Sequence, residues 1–268
     1  MIIKVSQGKT TLQVGFAVQL RVIGAILMRE LHTRFGRDNI GYLWMFVEPM
    51  LLATAISGLH LAIHAHLPYG MDVVPFYLCG YTPFLMFRQI VNRAPATIES
   101  NRTLLFHRQI SLFDLLFARA LLDLVGVSLA FFTLVAVTVL LGLGQVPDRP
   151  LYMFVGLILM FWLSLAFSLP LCAIAELSTT VDRLVHPATY IMMPLSGVFF
   201  LAETVPPGWR DVLLWGPVIH IVQLIRMGQY GNFNSRYCDI PYVLIWCVVL
   251  TFFGLLTLKM ARARLTLE

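Results

Sequence analysis

Glu48 is a carboxylate set in a long apolar stretch, where an ionisable group either works on a pathway or is paired. Pro49 follows it, and His60, His64 and His66 come later in the same stretch. His60 and His64 stand four residues apart and share one face of a helix, a spacing that metal ligands use. No third ligand follows at a suitable distance, so the histidines read as residues at the edge of an apolar segment. A membrane-embedded enzyme built on Glu48 with His60 and His64 would turn over a lipid substrate unaided. The plainer role for Glu48 is an ion pair with a nearby arginine. Gly8-Lys9-Thr10 matches the end of a phosphate-binding loop, but that motif needs a glycine five residues earlier, and position 3 is Ile3. The sequence therefore offers no ATP site of its own. The cysteines Cys79, Cys172, Cys238 and Cys247 form no C-x-x-C pair, which argues against a disulfide framework and a thiolate metal site.

These groups sit in a chain of 268 residues that is 59% hydrophobic and only 12% charged. Its mean hydropathy is +0.80. Soluble domains carry about 25% charged residues, so the chain reads as an all-α polytopic membrane protein. The net charge of +5 then speaks to topology rather than to nucleic acid. The start, MIIKVSQGKT, lacks the order of a cleaved signal peptide.

The organising stretch is RELHTRFGRDNIGYLWMFVEPML, from Arg29 to Leu51. Its basic first half passes through Gly36, Asp38, Asn39 and Gly41, which break or cap helices, into an apolar second half. The spacing predicts an amphipathic interface helix over residues 14–35. Phe16, Leu20, Ile23, Leu27 and Leu31 share its apolar face, with Gln19, Arg21, Arg29, Glu30 and His32 mostly opposite and toward water. Six spans are expected at 43–65, 74–92, 115–143, 151–174, 184–201 and 240–258. The connection from Arg93 to Asp114 is the longest polar segment on its side, and Glu176–Arg183 forms a short loop. Arg119 and Asp123 stand four apart, as an intrahelical pair would.

Residues 203–227 break the pattern. Two short apolar pieces are split by Gly216-Pro217, each too short to cross a core of ~30 Å. They read as a re-entrant hairpin of half-helices, a form that survives at depth only against protein or a water-filled cavity. Thirteen Lys and Arg residues fall on the side of the two termini, whereas Arg149, Arg210, Arg226 and Arg236 fall on the other. The excess of positive charge places both termini in the cytoplasm. No repeat or linker divides the chain, so residues 1–268 read as one transmembrane domain.

Three stretches resemble a known family. The Arg29–Leu51 segment is similar to the entrance of the first span in type-2 ABC exporter permeases. LLFHRQISLFDLLFARALLD resembles their connection between the second and third spans. PLSGVFFLAETVPPGWRDVLLWGPVIHIVQLIRMGQYG resembles their fifth span and periplasmic hairpin. Within the family, the capsular polysaccharide export permeases are the nearest in pattern.

The resemblance implies a homodimer with two copies of a separate ABC ATPase subunit, which would hold ATP and magnesium; it implies no cofactor in this chain. It places ATPase coupling on the interface helix and on residues 95–108, here Arg29, Glu30, Arg34, Asn101, Arg102 and Arg108. The substrate would be a lipid-linked, acidic polysaccharide, moved across the bacterial inner membrane between two permease copies. A periplasmic co-polymerase and an outer-membrane channel would continue the route. Arg37, Tyr42, Trp44, Glu48, Tyr77, Tyr81, Phe84 and Arg226 are the candidate path residues; Arg226 could instead pair with Glu203 or Asp211. The arginines near the entrance, Arg29, Arg34 and Arg37, would steer the polymer or bind anionic head groups. Export of O-antigen, teichoic acid or a small molecule on the same fold, and a passive channel, are the other readings.

Overall fold

The computed structural model describes residues 11–35, 67–102 and 110–265, with Val47, Glu48, Met50, Leu51, Thr54, Ala55, Ile56, Gly58, Leu59 and Ala62 between the first two ranges. Among them every regular element is helical. The expected first span at 43–65 lies mostly outside the described residues; its described positions are helical.

Helix α1 (Thr11–Phe35) comes first. Helix α2 (Val73–Arg93) carries Pro75 in its first turn and Pro83 inside. Two 3-10 turns, Pro95–Thr97 and Glu99–Asn101, then lead toward α3 (Leu112–Leu140). The expected third span begins later, at 115, because Asp114 reads as a loop residue. In the structure Ser111 caps α3: its Oγ accepts from the Asp114 amide at 3.1 Å, and Asp114 Oδ2 accepts from the Ser111 amide at 3.1 Å. This reciprocal capping box starts the helix at Leu112. Gly142, at φ 67°, marks the turn just past its end.

Helix α4 (Pro150–Leu177) runs almost directly into α5 (Thr179–Leu195). The loop expected at Glu176–Arg183 is thus a break at the single extended residue Ser178 (φ −154°, ψ 113°). The helix found where a fifth span is expected at 184–201 is α5, which starts at Thr179 and ends at Leu195, and a turn containing Gly197 at φ 75° follows it. Helices α6 (Pro207–Leu213) and α7 (Pro217–Gln229) come next, then α8 (Ile240–Leu265). Among the described residues, three helices contain stretches long and apolar enough to cross a membrane: Leu112–Leu140, Pro150–Glu176 and Ile240–Ala261.

Helix α4 packs against α8, α7, α2 and α3 and so forms the centre of the bundle. Small residues permit this closeness. A Cβ on Gly156 of α4 would run into Ile225 of α7, and one on Gly228 of α7 would come within 2.5 Å of Met153 Cγ on α4. Every residue of α7 is buried, while α6 buries none. At thirteen residues, α7 is about 20 Å long.

Arg226 lies inside this packing and is fully buried. The expected pairing with Glu203 or Asp211 does not form. Arg226 Nη1 donates to the carbonyls of Gly197 (2.8 Å) and Phe200 (2.7 Å), and Nη2 to that of Val198 (2.6 Å). Its guanidinium carbon sits 3.7 Å from the centroid of the Phe76 ring. Glu203 instead accepts from Ser235 Oγ at 2.6 Å and Gln223 Nε2 at 3.3 Å. Arg226 thus ties the turn after α5 to α7, using carbonyls that no helix satisfies. Gly80 of α2 makes room for it, since a Cβ there would approach Val198 O at 2.8 Å and Arg226 Nη2 at 2.9 Å.

Arg226→Met removes these bonds and leaves buried carbonyls without donors. We expect a loss of about 3 kcal/mol, read as a lower midpoint of detergent-induced unfolding in mixed micelles. A midpoint equal to that of the native chain contradicts the clamp.

Candidate functional site

The densest set of polar contacts joins the second half of α1 to the end of α2 and the start of α3. Gln19 Nε2 donates to Asp114 Oδ1 at 3.0 Å. Ile26 is buried beside Leu115 and Ala118, with Val22, Ile23, Leu27 and Ile110 around them. Arg119 Nε donates to Glu30 Oε1 at 3.0 Å, and Arg29 Nη2 donates to Asn101 Oδ1 at 2.6 Å. Residues 19, 22, 26 and 30 form one stripe at helical spacing. The stripe against the protein is therefore displaced by one position from the apolar face read in the sequence. Phe16 and Leu20 of that apolar face are 64% and 54% exposed. Gln19, Arg29 and Glu30, expected toward water, are the residues that hold α1 in place. Apolar periodicity finds the greasy side of a helix, and next to a bilayer the greasy side need not be the protein side.

The contact continues inward. Arg119 Nη1 reaches Thr97 Oγ1 at 3.4 Å, and Thr97 Oγ1 donates to the Arg93 carbonyl at 3.0 Å. Arg93 Nη1 donates to both oxygens of Asp123, at 3.0 and 3.1 Å, and Asp123 is 1% exposed. The expected intrahelical pair Arg119–Asp123 is replaced by two pairs between helices. Arg119 reaches across to α1, and Asp123 is met by α2.

Glu48 shows the structural role expected for it. Arg88 Nη2 donates to Glu48 Oε1 at 2.6 Å, and the Tyr81 hydroxyl donates to the same oxygen at 3.0 Å. The Arg88 guanidinium also lies 5.0 Å from the centroid of the Tyr190 ring on α5. Glu48, Arg88 and Tyr190 help to wall a cavity of about 630 Å³ between α1, α2, α3 and α5. Glu30, Glu48, Arg88, Arg93 and Arg119 supply its charges; Gln89, Asn92, His186 and Tyr190 supply further polar and aromatic surface.

The sequence-predicted residues divide accordingly. Arg29, Glu30 and Asn101 are brought together. Arg102 stands at the exposed edge, 3.5 Å from Glu176. Arg34 lies in α1. Arg37, Tyr42, Trp44, Arg108 and the histidines His60, His64 and His66 lie outside the described residues. Tyr77 and Phe84 are buried in the bundle. Tyr77 packs edge-on against Phe76 at 5.2 Å, and Phe84 is fully buried at 5.8 Å from Phe87. Arg226 is likewise buried, on the three carbonyls described above. Sequence reasoning misses Arg93, Thr97, Asp114, Gln89 and His186 as site residues. Asp114 is detectable as the last residue of an S-x-x-D capping box, and Arg93 and Asp123 as charges at or inside apolar helices. Elsewhere Cys238, the half-buried thiol after α7, is pushed up to about 11, first by burial and then by Asp239 and Glu203.

The sequence matches the ABC-2 type transporter family over residues 21–230. It is 35% identical over 247 residues to the capsule polysaccharide export inner-membrane protein CtrC of Neisseria meningitidis serogroup B, covering 92% of this chain and 93% of that one. It is 34% identical over 251 residues to the capsule polysaccharide export inner-membrane protein BexB of Haemophilus influenzae, covering 94% and 95%. It is 28% identical over 248 residues to the polysialic acid transport protein KpsM of Escherichia coli, covering 90% and 93%.

The α1–α3 seam is directly measurable. Glu30→Gln and Arg119→Gln, alone and together, form a double-mutant cycle for a half-buried pair. A coupling of about 1–2 kcal/mol is expected from unfolding midpoints in mixed micelles. Strict additivity of the two changes contradicts a working contact.

Proposed function

The chain belongs to the ABC-2 type transporter family, and from that premise we propose that it is the membrane permease subunit of an exporter for capsule polysaccharide. The similarity over more than nine-tenths of its length to capsule polysaccharide export inner-membrane proteins carries the reading. Its place is the inner membrane, with several crossings. Its role is to conduct rather than to catalyse.

The finer picture combines the charge and burial of the chain with what the family resemblance implies. Six spans put both termini in the cytoplasm: the segment at 43–65, then α2, α3, α4, α5 and α8. Helices α6 and α7 form the hairpin on the opposite side, and the full burial of α7 supports this, because short helices at depth need protein around them. Phe16 and Leu20 of α1 face the bilayer surface. Two copies of the chain enclose the passage, since one bundle packed around α4 leaves little room for a polymer. Two copies of an ABC ATPase subunit supply the energy and carry the ATP and magnesium. They grip α1 and residues 95–108, with Arg29, Glu30, Arg34, Asn101, Arg102 and Arg108 at the contact. The substrate is lipid-linked and acidic, and a periplasmic co-polymerase and an outer-membrane channel take it onward.

The seam gives this coupling a physical route. Glu30–Arg119 fastens α1 to α3, and Asp123–Arg93 fastens α3 to α2. A push on α1 is therefore passed to two membrane helices as a rocking of packed elements. Glu48 and Tyr81 stand where such a rocking would open a path. Arg34, Arg37, Tyr42 and Trp44 belong to its cytoplasmic entrance.

Deleting this chain from a cell that makes the polymer leaves finished polysaccharide in the cytoplasm, located by immunogold labelling with an antibody to the glycan. Polymer at the surface of the deletion strain contradicts the export role.

A further inference from the structure

The cavity between α1, α2, α3 and α5 asks for an occupant. Its volume of about 630 Å³ lies within the ~300–1,000 Å³ of small-molecule sites. Three guanidiniums line it: Arg88, Arg93 and Arg119. Each is anchored by one carboxylate, respectively Glu48, Asp123 and Glu30. A guanidinium has more N–H donors than one carboxylate oxygen takes up, so the anchored groups still have donors to offer. Two carboxylates, Glu30 and Glu48, share the wall with the three arginines, while Asp123 lies behind Arg93 and is buried. The three guanidiniums are thus balanced by three carboxylates, and what the wall offers a ligand is their remaining N–H donors, with His186 beside them.

Gln89 adds a second requirement. It lines the cavity, and its Oε1 is buried with no hydrogen-bond partner among the described residues. A buried acceptor of this kind calls for a donor from whatever fills the space. Arginine forks fit phosphate oxygens, and a hydroxyl group fits Gln89. Tyr190, 58% exposed, stands at the rim under Arg88.

We propose that this cavity binds a phosphate ester flanked by hydroxyl groups, the chemistry of a sugar- or polyol-phosphate lipid head group. The cavity lies where α2 ends and α3 begins, at the change from apolar helix to polar connection; on the proposed topology that is the depth of head groups. An incoming phosphate competes with Glu48 for Arg88, so occupancy loosens the tie between residue 48 and α2. The export reading enters only in naming the source, either the anchor end of a lipid-linked glycan or a bulk phospholipid.

The test uses the full chain in a neutral maltoside detergent, with binding followed by calorimetry. The probes are glucose 1-phosphate, dioctanoyl phosphatidic acid and glucose. Both phosphate probes are expected to bind and glucose is not. Glu48→Gln with Arg88→Gln replaces the ion pair by a neutral amide pair, and Gln89→Glu places a carboxylate on the wall. Each should weaken phosphate binding by about tenfold, with an unchanged thermal melt as the check on folding. Stronger binding of glucose 1-phosphate assigns the site to a glycolipid, and stronger binding of phosphatidic acid to bilayer phospholipid. Affinity unchanged in both variants, equal binding of glucose, or no binding of either phosphate probe overturns the proposal. Surface capsule in cells carrying the native chain is read separately. Its absence removes the export function while leaving a measured phosphate site standing.

Discussion

Charge inside an apolar helical bundle is tolerated only when it is paired, and that constraint fixes the arrangement of this chain. The described charges deep in the bundle each tie one element to another. Arg226 holds the turn after α5 to α7 through three carbonyls. Asp123 of α3 is met by Arg93 of α2, and Arg119 of α3 by Glu30 of α1. Arg88 of α2 meets Glu48. Hydrophobic contacts are weakly directional beside lipid, because tails and side chains are equally apolar. Pairing has a direction and a partner, so it sets which faces meet.

Position decides what each pair can do. Arg226 sits among residues that are all buried, and its bonds stiffen the hairpin side of the bundle. The seam of Gln19, Ile26 and Glu30 is at the other end, with Ile26 buried, Glu30 half-buried and Gln19 exposed. Between them the Glu48–Arg88 pair closes one wall of a polar cavity. A force applied to α1 meets a connected set of ion pairs that themselves line the cavity. On the proposed reading, that set converts a push from a separate ATPase into movement of α2 and α3.

Much of this was legible in the sequence. Composition and run length indicated an all-helical membrane protein, and the break at Gly216-Pro217 separated α6 from α7. Glu48 was readable as half of an arginine pair. Other features were hidden for physical reasons. The protein side of α1 is offset by one position from its apolar face: Ile23 and Leu27 still pack at its edge, while Phe16 and Leu20 point away from the protein. Arg119 and Asp123 satisfy the spacing of an intrahelical pair, and nothing local reveals that each has a better partner on another helix. Arg226 needed three carbonyls from a turn some 26 to 29 residues earlier, and backbone acceptors leave no mark in composition. The Ser178 break was masked by Glu176 and Asp182, which look like loop residues but lie in the last turn of α4 and the first turn of α5.

The central claim is that this chain is a conduit driven from outside itself. The most direct measurement is transport in vesicles, with the chain reconstituted alone or together with the proposed ATPase subunit and loaded with fluorescent lipid-linked polysaccharide. The account predicts glycan movement that requires both proteins and ATP, and none with the chain alone. Movement without the second protein, or ATP turnover by the chain alone, contradicts it.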